Sequence, residues 1–152
     1  MRYVDTDCAP PGGAGTVDPG REGTRLFLEL RTAASTSAIP TIRTVAADLA
    51  ARADFDLDSI DDLRMAVDDL CAMLTRIAAN NAMLSCAFTV GPERIEVAAE
   101  VEVDDVQDRL PTGSFGWRVL ECLANEVSAV ALPAAPGRAG RVRVTMVKDA
   151  VR

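Results

Sequence analysis

The stretch Asp58–Ala78, DSIDDLRMAVDDLCAMLTRIA, decides how this chain is read. Ile60, Leu63, Val67, Leu70, Cys71, Leu74 and Ile77 recur every three or four residues, the spacing of one helical face, and predict a well-buried amphipathic helix. Asp58 or Ser59 is its expected cap, and Asp61 and Asp62 set negative charge in its positive first turn. Asp69 and Met73 fall off the apolar face. They are four residues apart, so they share a second stripe, one turn above the other.

Upstream, Ile39, Ile42, Val45, Ala46, Leu49, Ala50 and Ala53 mark another helical face, with Ser37 as expected cap and Pro40 in the tolerated first turn. Arg43 sits on its opposite face. Before it, RLFLELR alternates Leu26, Leu28 and Leu30 with Arg25, Glu29 and Arg31, as a half-buried strand requires, although Phe27 interrupts the polar side. Residues 1–23 hold four prolines or glycines in the run Pro10 to Gly13 alone and little apolar area, and read as a flexible tail. Residues 24–152 form the one expected domain.

Downstream, Asn80 and Asn81 suit the helix exit. Leu84, Cys86, Phe88 and Val90 alternate, Gly91-Pro92-Glu93 turns, and Ile95, Val97, Ala99, Val101 and Val103 alternate again, which predicts an antiparallel hairpin. DDVQDRLPTGS reads as a loop. Thr112 or Ser114 then caps a third helix with Val119, Leu120, Leu123, Ala124 and Val127 inward and Trp117 near its start. Two strands follow, SAVAL and RVRVTMV, separated by the turn-rich PAAPGRAG. The expected fold class is α+β: a two-layer sandwich with three helices on one face of a mainly antiparallel mixed sheet.

Composition narrows the function. With no histidine among 152 residues, Ser-His-Asp and Cys-His triads, histidine metal sites and imidazole bases are excluded. Cys8, Cys71, Cys86 and Cys122 form neither a zinc pattern nor a sequence-adjacent redox pair. A net charge of −7 opposes nucleic-acid binding and suits a basic protein partner or plain solubility. Neither a membrane span nor a signal peptide is read, so the expected location is cytoplasmic.

The order of elements, and the second helix in particular, resembles the Bergerat-fold (GHKL, histidine-kinase-like) ATPases, and within them the RsbW-type anti-sigma factors that are also serine kinases. One match runs from Ile42-Arg43 through ARADFDLDSIDDLRMAVDDLC; a second is GSFGWRVLECLANEV at Gly113 to Val127. The resemblance implies ATP and Mg²⁺ as cofactors, with a carboxylate on the second helix as base and an Asn one turn later on Mg²⁺. Those positions carry Asp69 and Met73 here. It also implies an adenine-binding Asp followed by glycines, where this chain has VDDVQDRLPTG with Asp104 or Asp105, and a phosphate lid, of which Gly113 and Gly116 remain. A thioether has little affinity for Mg²⁺, so the nucleotide site reads as degenerate.

The resemblance further implies a sigma factor of RNA polymerase and a STAS-type anti-sigma-factor antagonist as partners, usually engaged by a homodimer around the first helix. Arg43 is the first contact candidate, supported by Arg52. The leading expectation is a partner-switching anti-sigma factor with weak or lost kinase activity. An active serine kinase acting on the antagonist and a non-catalytic dimerisation scaffold are the alternatives.

Overall fold

The computed structural model describes residues 2–5, 25–104 and 110–151. In chain order they form β1 (Arg2–Asp5), β2 (Leu26–Ala33), α1 (Ile39–Arg52), α2 (Leu57–Ile77), β3 (Met83–Gly91), β4 (Arg94–Glu102), α3 (Phe115–Leu123), β5 (Glu126–Leu132) and β6 (Arg141–Asp149). The strands make a six-stranded sheet in the order β1-β2-β3-β4-β6-β5. Every pairing in it is antiparallel. The two-layer α+β sandwich expected from the sequence is the architecture found, with no parallel pair among the described strands.

Alternation decides which side of each strand is covered. Leu28 and Leu30 of β2, Leu84, Cys86, Phe88 and Val90 of β3, Ile95, Val97, Ala99 and Val101 of β4, and Val142, Val144 and Met146 of β6 are buried in one cluster with the helices. The intervening residues, among them Arg31, Glu96 and Arg143, are exposed on the other face. One side of the sheet is therefore dry and the other wet, the pattern an antiparallel sheet allows.

α2 is the centre of the helical layer. Leu63, Ala66, Val67, Leu70, Cys71, Met73 and Leu74 are all buried, an arc wider than a single apolar stripe. The arc is wide because α2 meets the sheet on one side and both α1 and α3 on its flanks. Each large side chain buried there is worth about 1.5–3 kcal/mol, and Leu70→Ala costs about 2–5 kcal/mol. The helix begins two or three residues earlier than the capping signals at Asp58 and Ser59 suggest. Its N-cap is Asp56, whose carboxylate accepts from the Ser59 amide at 3.2 Å. Hydrogen bonding from Ser59 holds the Asp56 carboxyl below its usual range.

Three other boundaries differ from expectation. Ser37 does not cap α1; it lies in a 3-10 turn, Thr36–Ala38, that Ser35 caps, and Ala38 precedes α1 without a side-chain cap. α3 ends at Leu123, so Val127, expected on its inner face, belongs to β5. Ala124 is extended (φ −105°, ψ 158°), and the chain must turn there to pair with β6. Within the stretch expected as a flexible tail, Arg2–Asp5 pairs with β2, while residues 6–24 lie outside the described residues.

Candidate functional site

The second stripe of α2 faces the start of α3, and the contact between them defines the site. The backbone before α3 makes a 3-10 turn, Pro111–Gly113, and Ser114 then caps the helix by accepting from the Trp117 amide at 3.1 Å. The Ser114 hydroxyl has one proton to give. Two acceptors lie in reach, the Pro111 carbonyl at 2.7 Å and the Met73 sulfur at 3.3 Å. The carbonyl is the shorter and stronger acceptor, so the sulfur contact is secondary.

Met73 does not lie on an open stripe. It is 2% exposed and packs beneath α3. A Cβ on Gly116 would fall 3.0 Å from both Cγ and Sδ of Met73. Glycine at 116 is therefore what lets α3 approach α2 this closely. Trp117, one residue on, is buried in the main core rather than offered to a partner. Gly113 is exposed and a Cβ there would meet nothing, so it has no comparable packing role.

Asp69 sits one turn before Met73 and is half-buried. Desolvation pushes its carboxyl above the usual range, the Asp68 charge beside it adds to the shift, and Arg76 opposes it. A carboxylate tuned in this direction is a better proton acceptor than a free one, which is the property a general base needs. Asp104 lies exposed just past β4, without a hydrogen bond to α2 or α3 among the described residues; Asp105 lies outside them. The structure thus brings together Asp69, Met73 and Gly116 of the residues expected at this site, and leaves Asp104 and Gly113 apart.

The two arginines expected at a partner surface have intramolecular partners. Arg43 Nη1 donates to Asp68 Oδ2 at 2.9 Å, tying α1 to α2, with both side chains about one-third exposed. Arg52 Nε donates to Asp48 Oδ2 at 2.9 Å one turn back along α1, and both are exposed.

Two features of the surroundings escape a linear reading. Lys148 donates to the Leu123 carbonyl at the C-terminal end of α3 at 2.9 Å and reaches Asp62 Oδ2 at 3.4 Å. A cation there satisfies a terminal carbonyl and complements the helix dipole, so β6 holds α3 against α2. Cys71 and Cys86, fifteen residues apart in sequence, are both fully buried with sulfurs 3.9 Å apart, and that contact and burial push the Cys71 thiol far up. Alternation placed each thiol inward, but only the packing of α2 over β3 brings them together.

These features define an α+β sandwich whose helical layer carries a tuned carboxylate beside a closed, sulfur-filled seam between two helices. No protein-family model matches the chain. It is 35% identical over 124 residues to the anti-sigma-F factor RsbW of Mycobacterium tuberculosis, in strain CDC 1551 / Oshkosh and in strain ATCC 25618 / H37Rv; the match covers 81% of this chain and 73% of that protein. The chain belongs to the RsbW family of anti-sigma factors.

Proposed function

We propose that this chain is an anti-sigma factor: it sequesters a sigma factor of RNA polymerase, is released by a STAS-type antagonist, and has weak or lost ATP binding and kinase activity. Sequestration is supported by the similarity to a relative named anti-sigma-F factor. The loss of kinase activity rests on one observation, the burial of Met73 against Gly116. In a Bergerat-type reading of the sandwich, that position supplies an Asn to Mg²⁺. A thioether is a poor ligand for that hard cation, and this one is enclosed by α3. The residues at this position do not fit Mg²⁺. Gly116, read as part of a phosphate lid, serves the seam with Met73 instead.

The partner surface in this reading lies around α1, where Arg43 keeps about a third of its side chain exposed despite Asp68 and Arg52 is open. A net charge of −7 steers encounter with basic helices of a sigma factor. The working form is a homodimer in the cytoplasm, where the polymerase is; no described helix is long and apolar enough to cross a membrane. One observation favours the alternative of an active serine kinase. Asp69 keeps a raised pKa beside the seam, as a base would.

Two measurements on the purified chain separate these readings. Capture of the host's sigma factors is expected with and without Mg-ATP, and failure to hold any of them in either condition refutes sequestration. Calorimetric titration with Mg-ATP is expected to give no binding at millimolar nucleotide. Micromolar binding abolished by Asp69→Ala would revive the kinase reading instead.

A further inference from the structure

The wet face of the sheet carries a cleft of about 270 Å³, lined by Arg31, Ser85, Glu100, Glu102, Arg138 and Arg141 together with Met83 and neighbouring backbone. It lies on the opposite side of the sheet from Asp69 and Met73. Register accounts for its floor. Glu100 pairs with Ser85 of β3 and Arg143 of β6, and Glu102 pairs with Arg141. Its rim is the β5–β6 connection, closed by reciprocal backbone hydrogen bonds between Ala135 and Arg138 at 3.0 and 2.8 Å. Gly137, at φ +77°, supplies the left-handed residue that this tight turn needs.

The charge balance there runs against that of the chain. Glu100 receives two guanidinium groups, Arg141 Nη1 at 3.2 Å and Arg143 Nη2 at 2.9 Å, so its charge is already met. Arg31 and Arg138 form no ion pair among the described residues. Three guanidinium groups, Arg31, Arg138 and Arg141, therefore line the cleft with two carboxylates, Glu100 and Glu102; just outside, Arg143 reaches Glu100 and Glu29 accepts from the Ser85 hydroxyl at 3.3 Å. One donor is conspicuous. The Nε–H of Arg141 is buried and has no hydrogen-bond partner. A buried donor left unmade costs about 1–3 kcal/mol, which an acceptor reaching it would recover.

We propose that this cleft binds a small oxyanion of the phosphate class. Arg31 and Arg138 supply exposed charge at the rim, and Arg141 supplies a desolvated donor at the floor. Guanidinium is the side chain whose forked donors match oxyanion geometry. A multiply charged oxyanion is favoured over a single carboxylate because the lining arginines outnumber the carboxylates, and the attraction of that positive balance grows with the charge of the ligand.

The test is titration of the full chain with inorganic phosphate against sodium chloride of matched ionic strength. A saturable rise in Tm is expected, about 3–6 °C when phosphate is at tenfold its dissociation constant. A shift of the Arg141 Nε–H resonance with the same midpoint should accompany it. The Arg31→Gln/Arg138→Gln variant should fold normally and lose the response at least tenfold, while Arg118→Gln on α3 should keep it. No response of the wild-type chain to phosphate beyond that to chloride overturns the proposal, and so does an equal response in the double variant.

Discussion

Gly116→Ala tests the helix seam most directly, because the clash it creates has a single named partner. Its new Cβ falls 3.0 Å from Cγ and Sδ of Met73, several tenths of an ångström inside ordinary contact. The neighbour is the flexible part of a methionine, which can turn aside, but Met73 is 2% exposed and has little space to turn into. Overpacking of this kind costs about 1–3 kcal/mol. Against it stands the helical preference of alanine over glycine, at most about 1 kcal/mol and less in a first turn. The net expectation is a loss of about 0–3 kcal/mol. Alone, that range decides little.

A double-mutant cycle with Met73→Ala removes the ambiguity. Met73→Ala should by itself cost about 2–5 kcal/mol, since it empties a buried site. In that background the added methyl meets no sulfur and partly fills the vacated space, so Gly116→Ala should become stabilising. The two changes should couple by about 1–3 kcal/mol, readable as a difference in urea midpoints across the four proteins. If Gly116→Ala has the same effect in both backgrounds to within about 0.5 kcal/mol, the close approach of α3 to α2 is wrong, and the account of the closed seam fails with it.

Other outcomes follow from neighbouring contacts. Asp69 has a raised pKa in the folded chain, so its charged form is disfavoured by folding; Asp69→Asn should raise stability at neutral pH, and the gain should vanish as pH falls through that raised pKa to the unfolded value near 3.8. Urea midpoints against pH for both proteins check this, and a pH-independent difference would count against desolvation as the cause. Ser114→Ala removes the cap of α3 and should cost about 0.5–2 kcal/mol in thermal or urea unfolding. Because Arg43 and Asp68 are each about one-third exposed, a cycle of their alanine variants should give a coupling of only about 0.5 kcal/mol. Loss of sigma-factor capture in Arg43→Ala without comparable loss of stability would therefore mark Arg43 as a contact. Iodoacetamide should modify the exposed Cys122 in the native chain, and Cys71 and Cys86 only on unfolding, as peptide mass analysis can establish.

The parts of this fold that were legible in the sequence are those that repeat. Periods of two and 3.6 residues located β2, β3, β4 and β6 and the inner faces of α1 and α2, because burial on one side forces that repetition. Single residues at element ends were less legible. Asp56, Asp58 and Ser59 are all competent caps, and the choice among them depends on where α2 meets its neighbours. The site depends still more on tertiary placement. Met73 lies off the main apolar stripe of α2, and the periodicity of α2 alone does not show that α3 is what covers it. The Lys148 clamp and the Glu100 cluster need the strand order β4-β6-β5, which no local pattern contains.

The same geometry separates what the second stripe of α2 can do from what its sequence position suggests. Asp69 and Met73 are one turn apart, yet they occupy different environments: the carboxyl reaches solvent and is tuned by Asp68 and Arg76, whereas the thioether is sealed under Gly116. Under the proposed reading, a base without an adjacent cation ligand would retain half of the apparatus for phosphoryl transfer, since that transfer depends chiefly on positioning and charge neutralisation. Replacing Met73 by Asn would restore a ligand type but bury an amide beneath α3, where the Met73 side chain has the Ser114 hydroxyl, already committed to Pro111, as its one described polar contact. That substitution should open the seam at a cost in stability rather than rebuild a working site. In the proposed reading, closure of the seam and loss of the cation ligand are thus one structural event, and a chain held this way would depend on its protein surfaces for any switching.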